Sequence, residues 1–268
     1  LLTAQGMHAA GREVCCVALR DQYDPALRGM CDRFAQAGII QVGRWTRLLR
    51  RFGVSEAIMV GGVKKARMYD PAYLIRQIPD FTAARLWFGR LRHDRRDDAI
   101  LRAVVDTLAD RGITLLDSRA YVRDHLATMQ PMTRHTLSSV QQADLAFGLN
   151  ILQQLGRLDI GQSIAVKDCS VIAVEAVEGT DAMIERAGQL CRRGKWMMLK
   201  AARVDQDMRA DVPTIGVRTI ERLHEAGAAA LAVEADRLIM LDRPAVIDTA
   251  DRLGIAIVGF ALPEHPEP

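Results

Sequence analysis

A chain of 268 residues with 49% hydrophobic and 26% charged residues has an ordinary soluble globular composition, long enough for one large or two ordinary domains. A net charge of +3 and an aromatic content of 5% exclude a nucleic-acid surface built on a long basic stripe and stacking platforms. Cys15, Cys16, Cys31, Cys169 and Cys191 are odd in number and lack CxxC spacing, which excludes a zinc site and a disulfide framework and leaves core cysteines in a reducing cytosol.

Residues 1–10 read as the tail of a helix ending at Gly11, and VCCVALR (14–20) as a buried strand. Asp24-Pro25 is a helix start, with apolar positions at Leu27, Met30 and Phe34 and Gly38 beyond the end. Arg44 to Phe52 is a basic amphipathic helix carrying Trp45, Leu48 and Leu49 on one side. SEAIMVGGV (55–63) is a second strand running into Gly61-Gly62 and Lys64-Lys65. Asp97 to Arg111 is a helix, ITLLDS (113–118) a third strand, and Ala120 to Thr128 a further helix. This alternation predicts a parallel sheet with helices on its faces, whose ligands bind beyond the carboxyl ends of strands, near Asp21, Gly61, Gly62 and Lys64. No GxGxxG fingerprint indicates a dinucleotide.

Residues 129–139 form the best linker, and a helix from Ser138 to Gly156 follows. The expected division is 1–130 as an N-terminal domain, 131–156 as linker and connecting helix, and 157–268 as a C-terminal α/β domain. SIAVKDCSVIAVEAV (163–177) is strand-like, with Lys167-Asp168 as the hairpin turn. Then come helix 181–192, strand 196–201, an irregular loop 202–215, helix 216–226, strands 229–234 and 237–241, helix 244–253 and strand 255–260. The apolar runs fall short of the ~20 residues a membrane helix needs, and no signal peptide is visible. The opening on Leu1 without an initiator Met implies that N-terminal residues are missing from the numbering.

The chemistry concentrates between Glu175 and Gly216. Glu175, Glu178 and Asp181 form one acidic cluster and Asp205, Asp207 and Asp211 another, with Lys200, Arg203 and Arg209 among them. Thr180 suits an N-cap and Asp181 a first helical turn, so a well-capped helix explains that pair. Glu175 and Glu178 end an apolar strand, where charge is costly unless paired or bound to metal. In the second cluster Pro213 blocks a continuing helix and Thr214 is placed to cap the helix near Gly216, whose free N–H groups suit a phosphate. Lys200 and Arg209 suit phosphate oxygens. Spacing alone leaves metal–phosphate chemistry and a solvated polar loop as equal readings.

LDIGQSIAV (158–166), VIAVEAVEGTDAMIER (171–186), LKAARVDQDMRADVPTIGVRTIE (199–221) and AVEADRLIMLDR (232–243), joined by VCCVALR, IMVGGVKKAR and DDAILRAVVDTLADRGITLL, resemble the UDP-2,3-diacylglucosamine pyrophosphatase family of lipid A biosynthesis, the type unrelated to calcineurin. The resemblance spans nearly the whole chain. It implies an α/β protein with an N-terminal Rossmann-like parallel-sheet domain and a C-terminal mixed α/β domain. The implied reaction is Mg²⁺-dependent hydrolysis of an acylated UDP-sugar to UMP and 2,3-diacylglucosamine 1-phosphate.

On this reading Asp211, Lys200 and Arg209 are catalytic. Thr180, Gln206, Thr214, Gly61 and Lys64 bind substrate, and Asp211, Asp207, Asp181 and Glu178 hold the metal. The implied place is the cytoplasm, in transient contact with the inner face of the membrane through the basic helix 44–51 and Arg-rich 85–96, with no nucleic acid partner. A homodimer is compatible with it. Two departures stand out. Arg203-Val204-Asp205 replaces a Lys-Pro-Gly that precedes Gln-Asp in the family, and the family's opening strand and glycine-rich turn are absent. The altered segment keeps a non-catalytic nucleotide-sugar or acylated-sugar binder open as the alternative.

Overall fold

The computed structural model describes residues 1–61, 79–93, 97–203 and 206–262. The chain divides into two compact units. One comprises Leu1–Val122 with Asp207–Asp211, the other Arg123–Gln206 with Val212–Pro268.

The first unit begins with α1 (Leu2–Ala9) and β1 (Cys15–Leu19). Asp24 does cap a helix, accepting from the Ala26 N–H, but it is a six-residue 3₁₀ turn (Pro25–Met30), not a helix reaching Phe34. Arg33–Ala37 is instead β2, parallel to β1 with Cys16 opposite Phe34. Pairing along all of β1 satisfies more backbone groups than another helical turn would. Burial pushes the half-buried Cys16 thiol up to about 12, which disfavours the thiolate.

Next come α2 (Val42–Arg51), β3 (Glu56–Ala57), α3 (Phe81–Phe88), α4 (Asp97–Ala109) and β4 (Thr114–Leu115). The second and third predicted strands are therefore shorter than their apolar runs, pairing in parallel over two residues each. Val42, Val104, Val105, Leu108, Ile113 and Leu115 form the core, joined by Ala210 from the distant 207–211 segment. Among the described residues this unit holds two separate parallel strand pairs, β1–β2 and β3–β4.

The helix expected over 120–128, where the first unit gives way to the second at Arg123, is absent. A single 3₁₀ turn (Arg123–His125) is followed by extended chain, in which Leu126 bridges Ile239 and Ala127 exchanges hydrogen bonds with Leu238 and Asp236. Those cross-chain bonds outweigh local helix propensity. Residues 129–138 are also tied down: Met132 N–H donates to Ile257, and Thr133 Oγ1 accepts from Ile257 N–H.

The helix α5 (Ser139–Arg157) opens on a capping box between Ser138 and Gln141. β5 (Ser163–Lys167) and β6 (Ser170–Val174) form the predicted hairpin. Its turn is Asp168-Cys169, both at positive φ, one residue later than expected. Then follow α6 (Thr180–Leu190), β7 (Trp196–Lys200), β8 (Thr214–Ile215), α7 (Val217–Glu225), β9 (Ala228–Glu234), β10 (Ile239–Met240), α8 (Arg243–Leu253) and β11 (Ala256–Phe260).

The main sheet runs β11-β9-β7-β5-β6, parallel across the first three strands and antiparallel around β5. β7 is central, and its side chains alternate between two cores. Trp196 and Met198 enter the one lined by α6, α7 and α8; Met197 and Leu199 enter the one under α5. All four are fully buried, each contributing about 1.5–3 kcal/mol.

Candidate active site

β7 and β9 end, β5 begins and β6 has just ended at one edge of the five-stranded sheet. The residues gathered there are polar and buried: Lys200 closes β7, Glu234 closes β9, Ser163 opens β5 and Glu175 follows β6. Lys200 Nζ donates to Ser163 Oγ at 3.1 Å and to Thr180 Oγ1 at 2.9 Å. Thr180 Oγ1 in turn donates to Glu175 Oε1 at 2.9 Å. Glu175 Oε2 lies 3.7 Å from Lys200 Nζ, inside ion-pair range but without a hydrogen bond. Gly161, at φ 59°, passes so close to the Glu175 carbonyl that a Cβ would overlap it.

This cluster corrects the role expected for Thr180. The N-cap of α6 is Gly179 at φ 86°, and Thr180 is the first helical residue, with its hydroxyl turned to the Lys200–Glu175 pair. Ser163 was the member that sequence reasoning missed. A serine opening an apolar strand carries no signal until the strand order sets β5 beside β7.

The two other carboxylates of the first cluster lie apart from it. Glu178 pairs with Arg186 at 2.8 Å. Its own backbone N–H, and then Arg186, hold its carboxyl below the usual range. Asp181 is exposed and faces Arg222 at 3.4 Å, in an α6–α7 groove of about 600 Å³.

Beyond Lys200, the Ala202 N–H donates to Glu234 Oε2 at 2.8 Å. Arg203 is buried and pairs with Asp159 at 2.8 Å, while its N–H donates to Gln206 Oε1. Gln162 donates to the same oxygen at 3.0 Å. The Arg203 that departs from the family pattern thus has an internal partner. Gln206 braces the loop from within, and Val204 and Asp205 lie outside the described residues.

Asp207 to Asp211, in the first unit, form one helical turn in which the Ala210 and Asp211 N–H groups both donate to the Asp207 carbonyl. Ser118 pins that turn: its N–H donates to the Met208 carbonyl, and its hydroxyl lies 3.0 Å from the Arg209 carbonyl and 2.7 Å from that of Met59. Arg209 grips Asp207 with two nitrogens at 2.9 and 2.7 Å. That contact holds the Asp207 carboxyl below its ordinary value and raises Arg209 further.

A carboxyl depressed in the folded chain adds stability that is complete above its ordinary pKa of 3.8 and is lost as pH falls through the lower folded value. Asp207 is therefore expected to stay ionised at any pH where the protein functions. Arg209→Gln should move its carboxyl carbon titration upward in NMR, at a cost of no more than about 1 kcal/mol above pH 5. An unmoved titration would contradict the pairing.

Thr214 is exposed in β8 and caps nothing; Gly216 caps α7 with Thr219. Gly61 is at φ 92°, and Lys64 lies outside the described residues. Among the described residues no three His, Cys, Asp or Glu side chains group as a metal cage. Mg²⁺ needs less than a cage: one or two carboxylates suffice beside waters and phosphate oxygens. Asp207 and Asp211, one turn apart, fit that donor chemistry. Glu178 and Asp181, in the other unit, pair with Arg186 and Arg222 and form no one-turn carboxylate pair of this kind.

Comparison with known proteins matches both halves of the chain. The family model for the LpxI N-terminal domain covers residues 1–125, and that for the LpxI C-terminal domain covers residues 129–258. UDP-2,3-diacylglucosamine pyrophosphatase LpxI of Caulobacter vibrioides is 33% identical over 281 aligned positions, covering 98% of this chain and 94% of the relative.

Proposed function

The chain belongs to the LpxI family, and on that premise we propose that it cleaves the diphosphate of UDP-2,3-diacylglucosamine to UMP and 2,3-diacylglucosamine 1-phosphate, a step of lipid A biosynthesis. The observation that carries this reading is the match along 98% of the chain to a relative bearing that activity in its name. Two parallel strand pairs support a Rossmann-like reading of the first unit, as part of the same proposal.

Asp211, with Asp207 beside it, would hold Mg²⁺; bound there, the ion supplies charge neutralisation and acidifies a water. The chain's own residues do the rest. Ser118 fixes the turn carrying both carboxylates, so they are presented without a search through loop conformations. Arg209, half exposed, releases Asp207 to take a phosphoryl oxygen, exchanging one bidentate partner for another. Lys200 is a positioning residue that locks the start of α6 through Thr180 and offsets the Glu175 charge. The protein works at the cytoplasmic face of the membrane, where an acylated substrate resides; among the described residues no helix is long and apolar enough to cross a bilayer.

The test is UMP release from detergent-dispersed UDP-2,3-diacylglucosamine with Mg²⁺ and with chelator. Release that chelation abolishes is expected. Release that persists under chelation overturns the metal assignment, and no release in either case overturns the activity.

A further inference from the structure

We propose that α2 and α3 together form a docking face for an anionic bilayer surface, with Phe81 and Phe88 entering the interfacial layer. The inference deepens the reading above, on which it rests for the substrate being a membrane lipid; the face itself is read from the first unit alone.

Phe81 and Phe88 are 84% and 75% exposed, the two most exposed large apolar side chains among the described residues. They recur seven residues apart on α3 with the exposed Arg85 between them, so helical spacing sets all three on one stripe. The opposite stripe, Ala83 and Leu86, packs against the core. A globular helix normally turns its phenylalanines the other way.

The neighbouring helix supplies the charge. α3 packs on α2, where Gly43 lets Thr82 approach and Asp80 accepts from the Arg44 N–H at 2.8 Å. Arg44, Arg47, Arg50 and Arg51 are exposed on α2, with Arg44, Arg47 and Arg51 opposite its buried Val42 and Thr46. Neither 42–54 nor 81–93 contains an Asp or Glu. Arg90 is the exception that is neutralised locally, by Asp106 at 3.1 Å.

Exposed aromatics beside guanidinium groups, with one acid between the helices, Asp80, whose oxygens accept from the Arg44 and Ala83 N–H groups, are the makings of an interfacial anchor on anionic lipid. A second copy fits worse, because a two-fold contact through this face would set arginines against arginines.

The full chain is co-sedimented with vesicles of phosphatidylcholine alone and of equal parts phosphatidylcholine and phosphatidylglycerol. Binding is expected only to the anionic vesicles, and it should fall away in about 1 M salt, where the Debye length is about 3 Å. Arg44→Gln with Arg51→Gln should weaken it about fivefold for each arginine removed. Phe81→Ser with Phe88→Ser should weaken it roughly tenfold or more. Both double variants should keep full UMP release from detergent-dispersed substrate, since none of the four residues belongs to the site.

Several outcomes overturn the docking face: no binding to anionic vesicles, equal binding to neutral ones, or variants that bind like the parent. So do a dimer that the phenylalanine substitutions dissociate, and a preference for an oligonucleotide over vesicles. If vesicle binding holds while UMP release fails in the parent, the substrate assignment falls and the docking face stands.

Discussion

Asp211→Ala is expected to lower UMP release by at least about 10³-fold, the counterpart of about 4 kcal/mol of transition-state stabilisation. The thermal midpoint should stay close to that of the parent. The turn carrying Asp211 is held by main-chain bonds to Asp207 and by Ser118. The side chain is only half-buried, so its loss costs the fold on the order of 1 kcal/mol. Asp211→Asn keeps the shape and removes the charge, and should fail by a comparable factor if the carboxylate holds Mg²⁺. Steady-state kinetics with parallel thermal melts decides it. Full activity in either variant removes Asp211 from the site.

Lys200→Met is expected to act on stability first. Lys200 and Glu175 are 4% and 9% exposed, so truncating the lysine strands a buried carboxylate, a change that costs about 3–5 kcal/mol. With about 2–4 °C lost per kcal/mol in a chain of this size, the midpoint should fall by roughly 10 °C. Adding Glu175→Gln removes the stranded charge and should recover a large part of the loss. Lys200→Met melting like the parent while kcat collapses would return Lys200 to the role read from its sequence, a direct phosphate contact.

Ser118 shows how far the sequence could be read. ITLLDS suggested a strand end, and 207–211 suggested a catalytic loop, but no spacing relates residues 90 positions apart. A main-chain bond to Met208, which any sequence can make, and the Ser118 hydroxyl on the Arg209 carbonyl join them. The departure at 203 shows the same limit from the other side. The concern read from sequence was the bulkier, charged Val204-Asp205 in place of a Pro-Gly turn, and those two residues lie outside the described ones; at Arg203 itself, Asp159, 44 residues away, supplies a partner that no spacing announced. The helix expected from Asp24 to Phe34 failed because capping signals fix where a helix starts and not how long it lasts. The pairing partner for 33–37 was needed to end it.

The sequence by itself determined most strands and helices from 139 onward, among them the central apolar strand ending at Lys200 and the long helix beginning near Ser138, because hydrophobic period acts within a few residues. Only the tertiary structure decided which charges pair. Setting β5 between β6 and β7 brings Ser163, Glu175, Thr180 and Lys200 together, and the fold of the first unit takes in the turn 207–211. A buried charge is settled by whichever partner lies within a few ångströms, and that distance is a property of strand order, not of spacing along the chain.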